Sequence, residues 1–96
     1  MAREVVWSGP AWKDLTSACD YIAQESPSAA AALFVRVIEA ARSLESFADR
    51  GRRIAGSLDL AKRELLVSPY WLRYRVAETT VEILSLFHSA RSQQET

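Results

Sequence analysis

One cysteine, one histidine, three glycines and three prolines are spread over 96 residues that carry no net charge. Each scarcity excludes something. A single thiol forms no internal disulfide, and the place of Cys19 among Leu15, Ala18 and Ile22 favours a buried structural group over a reactive one. A reducing compartment fits that usage. One histidine and one cysteine at unrelated positions make no metal site, so neither metal nor cofactor is expected. The sequence holds no glycine-rich phosphate loop and no Ser/His/Asp constellation. No apolar run approaches the ~20 residues of a membrane span, and Met1-Ala2-Arg3-Glu4 leads into a strand rather than a signal peptide. These features predict a soluble cytoplasmic protein with no membrane partner. The length suits one domain, and an apolar content of 49% is enough to build its core.

The zero net charge hides an asymmetry. Residues 50–75 hold seven basic side chains (Arg50, Arg52, Arg53, Lys62, Arg63, Arg73, Arg75) against two acidic ones (Asp59, Glu64). A field of that sign attracts phosphate or an acidic partner segment. The charge does not choose between them.

Glu4-Val5-Val6-Trp7 has the β-branched and aromatic content of a strand, broken by Ser8-Gly9-Pro10. Ser8 is placed to cap a helix with Pro10 in its first turn. Ala11, Leu15, Ala18 and Ile22 then recur at helical spacing over residues 10–24. Ser26-Pro27 restarts a second helix, in which Ala30, Leu33, Phe34, Val37, Ile38, Ala41 and Leu44 form an apolar stripe ending near Ser46. The short link predicts an antiparallel αα-hairpin. Its exit, Phe47 to Arg53, reads as a solvated turn in which Gly51 supplies positive φ, with an acidic partner stretch as the other use of its arginines.

Three strands are predicted beyond an irregular stretch at residues 54–60. Lys62 to Val67 is followed by a tight turn at Ser68-Pro69. In Trp71 to Val76 the side chains alternate: Leu72, Tyr74 and Val76 face the helices, while Trp71, Arg73 and Arg75 stand on the open face. Val81 to His88 is apolar on both faces, as in a central strand, after a turn at Glu78-Thr79-Thr80. Residues 92–96 form a polar tail expected to fray. The expected architecture is α+β, in the order β-α-α-β-β-β. An αα-hairpin packs on one face of a small, mainly antiparallel four-stranded sheet.

Several short motifs fall in a familiar order: Trp7-Ser8, Ala11 and Asp14-Leu15; Tyr21-Ile22-Ala23, Ser26-Pro27 and Ala30; Leu44, Phe47, Gly51 and Arg52; Arg63-Glu64-Leu65, Tyr70, Tyr74-Arg75-Val76 and His88-Ser89-Ala90-Arg91. Together they span nearly the whole chain. In this the sequence resembles the RelE/ParE superfamily of type II toxin–antitoxin toxins, and within it the ParE-like, plasmid-stabilisation branch. Ala48 departs from relatives that carry proline after the phenylalanine. The resemblance implies a cognate antitoxin that wraps the toxin as a hetero-oligomer. It implies one of two targets: DNA gyrase for ParE-like toxins, or ribosome-bound mRNA, which RelE-like toxins cleave. Fold alone does not choose between these mechanisms.

A metal-independent endoribonuclease needs a base for the 2′-hydroxyl, an acid for the leaving oxygen and cations for the phosphorane. His88 stands where some RNase relatives place the acid. Trp71 stands where several carry a phosphate-binding arginine, which leaves Arg73 as the substitute clamp and Glu64 as the nearest carboxylate. His88 also has a plain reading, as a strand-end histidine bonded to backbone. Arg91 either pins the C-terminus or touches the target. The residues favour a toxin that binds over one that cuts. Partner contacts are expected at Trp71, Arg73, Arg75, Arg63 and Trp12, and target contacts at Arg91 and His88. The alternative is the mRNA endonuclease with His88 and Arg73 as its catalytic pair; a third option is a relative without toxicity. The mixed charge of the hairpin's outer face disfavours sequence-specific DNA reading.

Overall fold

The computed structural model describes residues 2–91, so the expected frayed tail lies outside the described residues. The elements are β1 (Glu4–Trp7), α1 (Gly9–Ala23), α2 (Pro27–Ser43), β2 (Arg52–Arg53), β3 (Lys62–Val67), β4 (Tyr70–Val76) and β5 (Thr80–His88). Both helices start as their sequences dictate. Ser8 and Ser26 are N-caps whose side-chain oxygens accept the amides of Ala11 and Ala29, each with proline in the first turn. The second helix ends at Ser43, a little short of the expected Ser46.

The sheet has five strands in the order β1-β5-β4-β3-β2. It is antiparallel except for the parallel pairing of β1 with β5. The expected four-strand count is thereby corrected. The added strand is Arg52–Arg53, which pairs with Glu64 and Arg63 where a solvated turn was expected. Two residues are too few to show alternation, so the strand left no periodic signal. The β5 strand is flanked on both sides, in agreement with its two apolar faces.

Helices cover one face of the sheet. Leu15, Leu33, Val37, Ala41 and Leu44 bury against Leu72, Tyr74, Val81, Ile83 and Leu86. A bulge at Leu84, where Arg73 pairs with Ser85 and Tyr74 with Ile83, keeps Ile83 and Leu86 on the helix side. Beyond Trp7 the first strand has ended, and α1 takes its place beside β5. There Asp14 Oδ2 accepts the Leu86 amide at 3.0 Å. This contact gives Asp14 a defined task that its sequence position did not reveal.

Gly51 is also corrected. Among the described residues the only positive φ belongs to Gly56, at 81°. Gly51 is required for close approach instead. A Cβ there would lie 2.6 Å from Tyr74 Oη and 2.7 Å from the Glu64 carbonyl oxygen. The buried Tyr74 hydroxyl donates to the Ala48 carbonyl at 2.8 Å and accepts the Gly51 amide at 2.8 Å.

Gly51→Ala should therefore destabilise the fold by at least about 1 kcal/mol, as overpacking does. Tyr74→Phe should cost roughly 1–3 kcal/mol, because it strands a buried amide. Burial holds the Tyr74 phenol above its ordinary value, partly opposed by the Gly51 amide. The folded chain thus keeps this proton longer than the unfolded one. Stability is complete below about pH 10 and falls as pH rises towards the folded value. Urea unfolding from about pH 8 to about pH 11 should show that fall in the parent and a shallower one in Tyr74→Phe.

Candidate functional site

Strand register arranges the open face in three rows. Leu66, Trp71 and Phe87 form an apolar row. Arg52, Glu64, Arg73 and Ser85 form a central row. Lys62, Arg75, Glu82 and Val6 form a charged row. The side-chain alternation expected on β4 is present. What alternation did not show is how the rows interlock.

Glu64 is the buried charge of this face, only 6% exposed. Its Oε1 accepts from Arg52 Nε at 3.0 Å, with Arg52 Nη2 at 2.9 Å, and its Oε2 accepts from Arg73 Nε at 3.2 Å. Each guanidinium also lies over a ring of the apolar row. Arg52 is 4.2 Å from the Trp71 centroid and Arg73 is 5.0 Å from that of Phe87. The two arginines differ in exposure: the Arg73 side chain is 12% accessible and the Arg52 side chain 65%. Arg52 and Glu64 are the residues that sequence reasoning missed as a pair. Their contact crosses from β2 to β3, so it depends on a strand that had not been predicted.

The basic excess of residues 50–75 is largely met within the molecule. Arg75 pairs with Asp59, whose carboxyl is held below its usual range by the Ala61 amide and then by Arg75. Arg50 donates to the Ser43 hydroxyl at 2.8 Å. Arg63 sits on the helix side of β3 and donates to the Gly51 carbonyl at 2.7 Å. It clamps the hairpin exit to the sheet, away from the Trp71 row. Trp12 lies between Trp7 and Phe34 in an edge-to-face ladder with centroid separations of 5.6 and 5.9 Å. That ladder stands on the helical side, so Trp12 and Trp71 do not share a surface.

His88 and Arg73 are separated too. His88 pairs with Tyr70 in the strand register, and the two rings meet edge to face at 5.3 Å on the helix side. Arg73 belongs to the open face. His88 Nδ1 accepts the Ala90 amide at 3.0 Å, a backbone contact of the plain kind. Arg91 follows on the same end, where it lines a cleft with His88 and Tyr70. Cys19 is half-buried, and burial followed by the nearby Asp20 raises its thiol above the ordinary value. Both effects disfavour the thiolate, in keeping with an inert structural role. Among the described residues no group of acidic, histidine and cysteine side chains is placed to hold a metal, and no helix is long and apolar enough to cross a membrane.

This architecture is shared by chains in solved structures of toxin–antitoxin systems. The chromosomal ParDE toxin–antitoxin system of P. aeruginosa contains a chain that matches with a TM-score of 0.73 at 23% identity, over 91% of this chain and 96% of that one. The toxin–antitoxin complex RelBE2 of Mycobacterium tuberculosis matches with a TM-score of 0.65 at 25% identity, over 95% of each chain. Fold and sequence together define a RelE/ParE superfamily toxin. The chain belongs to the family described as the ParE toxin of the type II toxin–antitoxin system parDE, whose model matches residues 5–93. It is also 44% identical to Toxin RelE2 of Caulobacter vibrioides over 89 residues, which are 92% of this chain and 97% of that protein.

Glu64→Ala should destabilise the sheet near the lower end of the roughly 3–5 kcal/mol that breaking a buried ion pair costs, since Arg52 still reaches water. Arg52→Ala should stay within about 1 kcal/mol, as an exposed partner does. Guanidinium unfolding of both variants checks the difference. Equal costs would mean that Glu64 is not the hub of the face.

Proposed function

We propose that this type II toxin acts by binding its target rather than by cutting it, with a type II topoisomerase such as DNA gyrase as that target. The reading rests on the separation of His88 from Arg73. A general acid and a phosphate clamp must meet at one phosphodiester, and here a sheet lies between them. Glu64, the nearest carboxylate, is engaged by two guanidiniums and is poorly placed to act as a base. The choice of topoisomerase rests on membership of the ParE family. The toxin works in the cytoplasm on this reading, because the enzyme it inhibits is there.

The neutralising partner is a cognate antitoxin, in keeping with solved relatives that are toxin–antitoxin complexes. It lies over the open face around Trp71, Arg73 and Arg75, where Leu66 is half exposed beside an arginine-capped tryptophan. Such arginine–tryptophan pairs are frequent anchors of interfaces. Trp12 and the Phe34 edge of its ladder give a second contact on the helical side. Arg63 supports the surface from behind. Arg91 and His88, at the far end of the sheet, are assigned to the target.

A second reading is favoured by one observation, the 44% identity to a protein named RelE2. It makes this chain an mRNA endonuclease with His88 and Arg73 in one site.

Controlled induction without antitoxin, with pulse-labelling of DNA and protein synthesis in one culture, separates the two readings. DNA synthesis should fail first, and His88→Ala should weaken inhibition of that synthesis without abolishing it, since the histidine is a target contact from which no proton transfer is required. Early arrest of translation, abolished by His88→Ala in a folded protein, would transfer the function to the endonuclease. Reversing charge at Arg73 and Arg75 together should weaken antitoxin binding by at least about tenfold at moderate salt. Arg75→Glu alone, which spares the Glu64 network, should show part of that loss. Unchanged affinity in both would remove the antitoxin from this surface.

A further inference from the structure

A cleft of 470 Å³ opens on the helix side, where β4 begins and β5 ends. It lies across the sheet from the Trp71 surface. Its floor is apolar, made by Ala18 and Leu86, and its rim carries Tyr21, Tyr70, His88, Asp14 and Arg91. The volume lies within the roughly 300–1,000 Å³ of small-ligand sites, and an apolar floor with few convergent polar groups is their usual composition. Asp14 and Tyr70 also serve the fold, whereas Tyr21 and Arg91 do not. Tyr21 is 74% exposed on α1, so its ring adds little to the core. Arg91 comes after the last strand, beyond the sheet's hydrogen bonds.

We infer that this cleft binds a nucleotide, with the base against the tyrosines and the phosphate at Arg91. Three side chains offer aromatic surface at one place: Tyr21, and the edge-to-face pair Tyr70 and His88. Such rings are stacking platforms for any base, because every base has a π-face. One acceptor and one cation complete the match. Asp14 gives one oxygen to the Leu86 amide and keeps its second for an amino group of a base. Arg91 supplies the charge and planar donors that suit phosphate. An apolar aromatic ligand satisfies the floor alone, and a free phosphate satisfies Arg91 alone. A nucleotide satisfies both. Burial, then the nearby Cys19, raises the Tyr70 phenol above its ordinary value against the opposing pull of Arg91, so this ring meets a base uncharged. The inference concerns the end of the sheet assigned above to the target, but its test reads binding and not toxicity.

The test is titration of the intact protein with AMP, followed by amide shifts in ¹H–¹⁵N spectra. Saturable shifts at Ser17, Ala18, Leu86, His88 and Arg91, with a dissociation constant on the order of 1 mM or tighter, are expected. Tyr21→Ala should weaken binding about tenfold, and it places a better helix former on an exposed face. Arg91→Gln should weaken AMP about tenfold and leave adenosine unaffected. Three results overturn the assignment: no saturation by about 10 mM, adenosine binding as tightly as AMP, or the same shifts from inorganic phosphate alone. Shifts centred on Trp71 and Arg52 would likewise overturn it, by moving the nucleotide to the open face.

Discussion

The hydroxyl of Tyr74 joins the two layers of this molecule by binding twice to the chain that leaves the helical hairpin. It donates to Ala48 and accepts from Gly51, both at 2.8 Å and both out of water. Buried polar groups of this kind must be paired, so the position of the exit segment is fixed where it crosses β4. Arg63 reinforces the same segment from β3 through the Gly51 carbonyl. Held there, the next residues have one way forward. They run beside β3 and become β2, which brings Arg52 over Trp71 and against Glu64.

A chemical character follows for the whole open face. Its arginines are numerous, yet their charge is spent on internal partners: Arg52 and Arg73 on Glu64, and Arg75 on Asp59. A surface organised this way presents guanidiniums already fixed over aromatic rings, at little further entropic cost to a partner. The same sheet carries His88 on its other side, within a cleft of different composition. Two chemically distinct surfaces thus share one small fold, back to back, and family membership alone does not say which of them meets which partner.

Asp14 illustrates how the two halves are matched. Because β1 stops at Trp7, the outer edge of β5 is left with backbone groups that no strand receives. Helix α1 fills the position, and one carboxylate oxygen takes the Leu86 amide. The bulge at Leu84 meets the same junction. It lets β5 keep Ile83 and Leu86 in the core while Ser85 joins the central row. A regular strand would have turned one of these apolar residues to solvent.

The amino-acid sequence by itself determined both helices, their serine caps, the three-strand meander, the alternation of Leu72 and Tyr74 against Trp71 and Arg73, and membership of the RelE/ParE superfamily. These are local or periodic properties, written at spacings of one to four residues or in the order of motifs, so they are legible without a fold. Only the tertiary structure decided that Arg52 and Arg53 form a fifth strand, that Gly51 is needed for closeness and not for its φ, that Glu64 is the buried hub, and that His88 and Arg73 lie on opposite faces. Each of those depends on a contact between segments distant along the chain. The pairing of Arg52 with Glu64 and the position of Gly51 beneath Tyr74 exist only once the hairpin has packed on the sheet, because burial, not local propensity, makes a buried hydroxyl or carboxylate seek its partner.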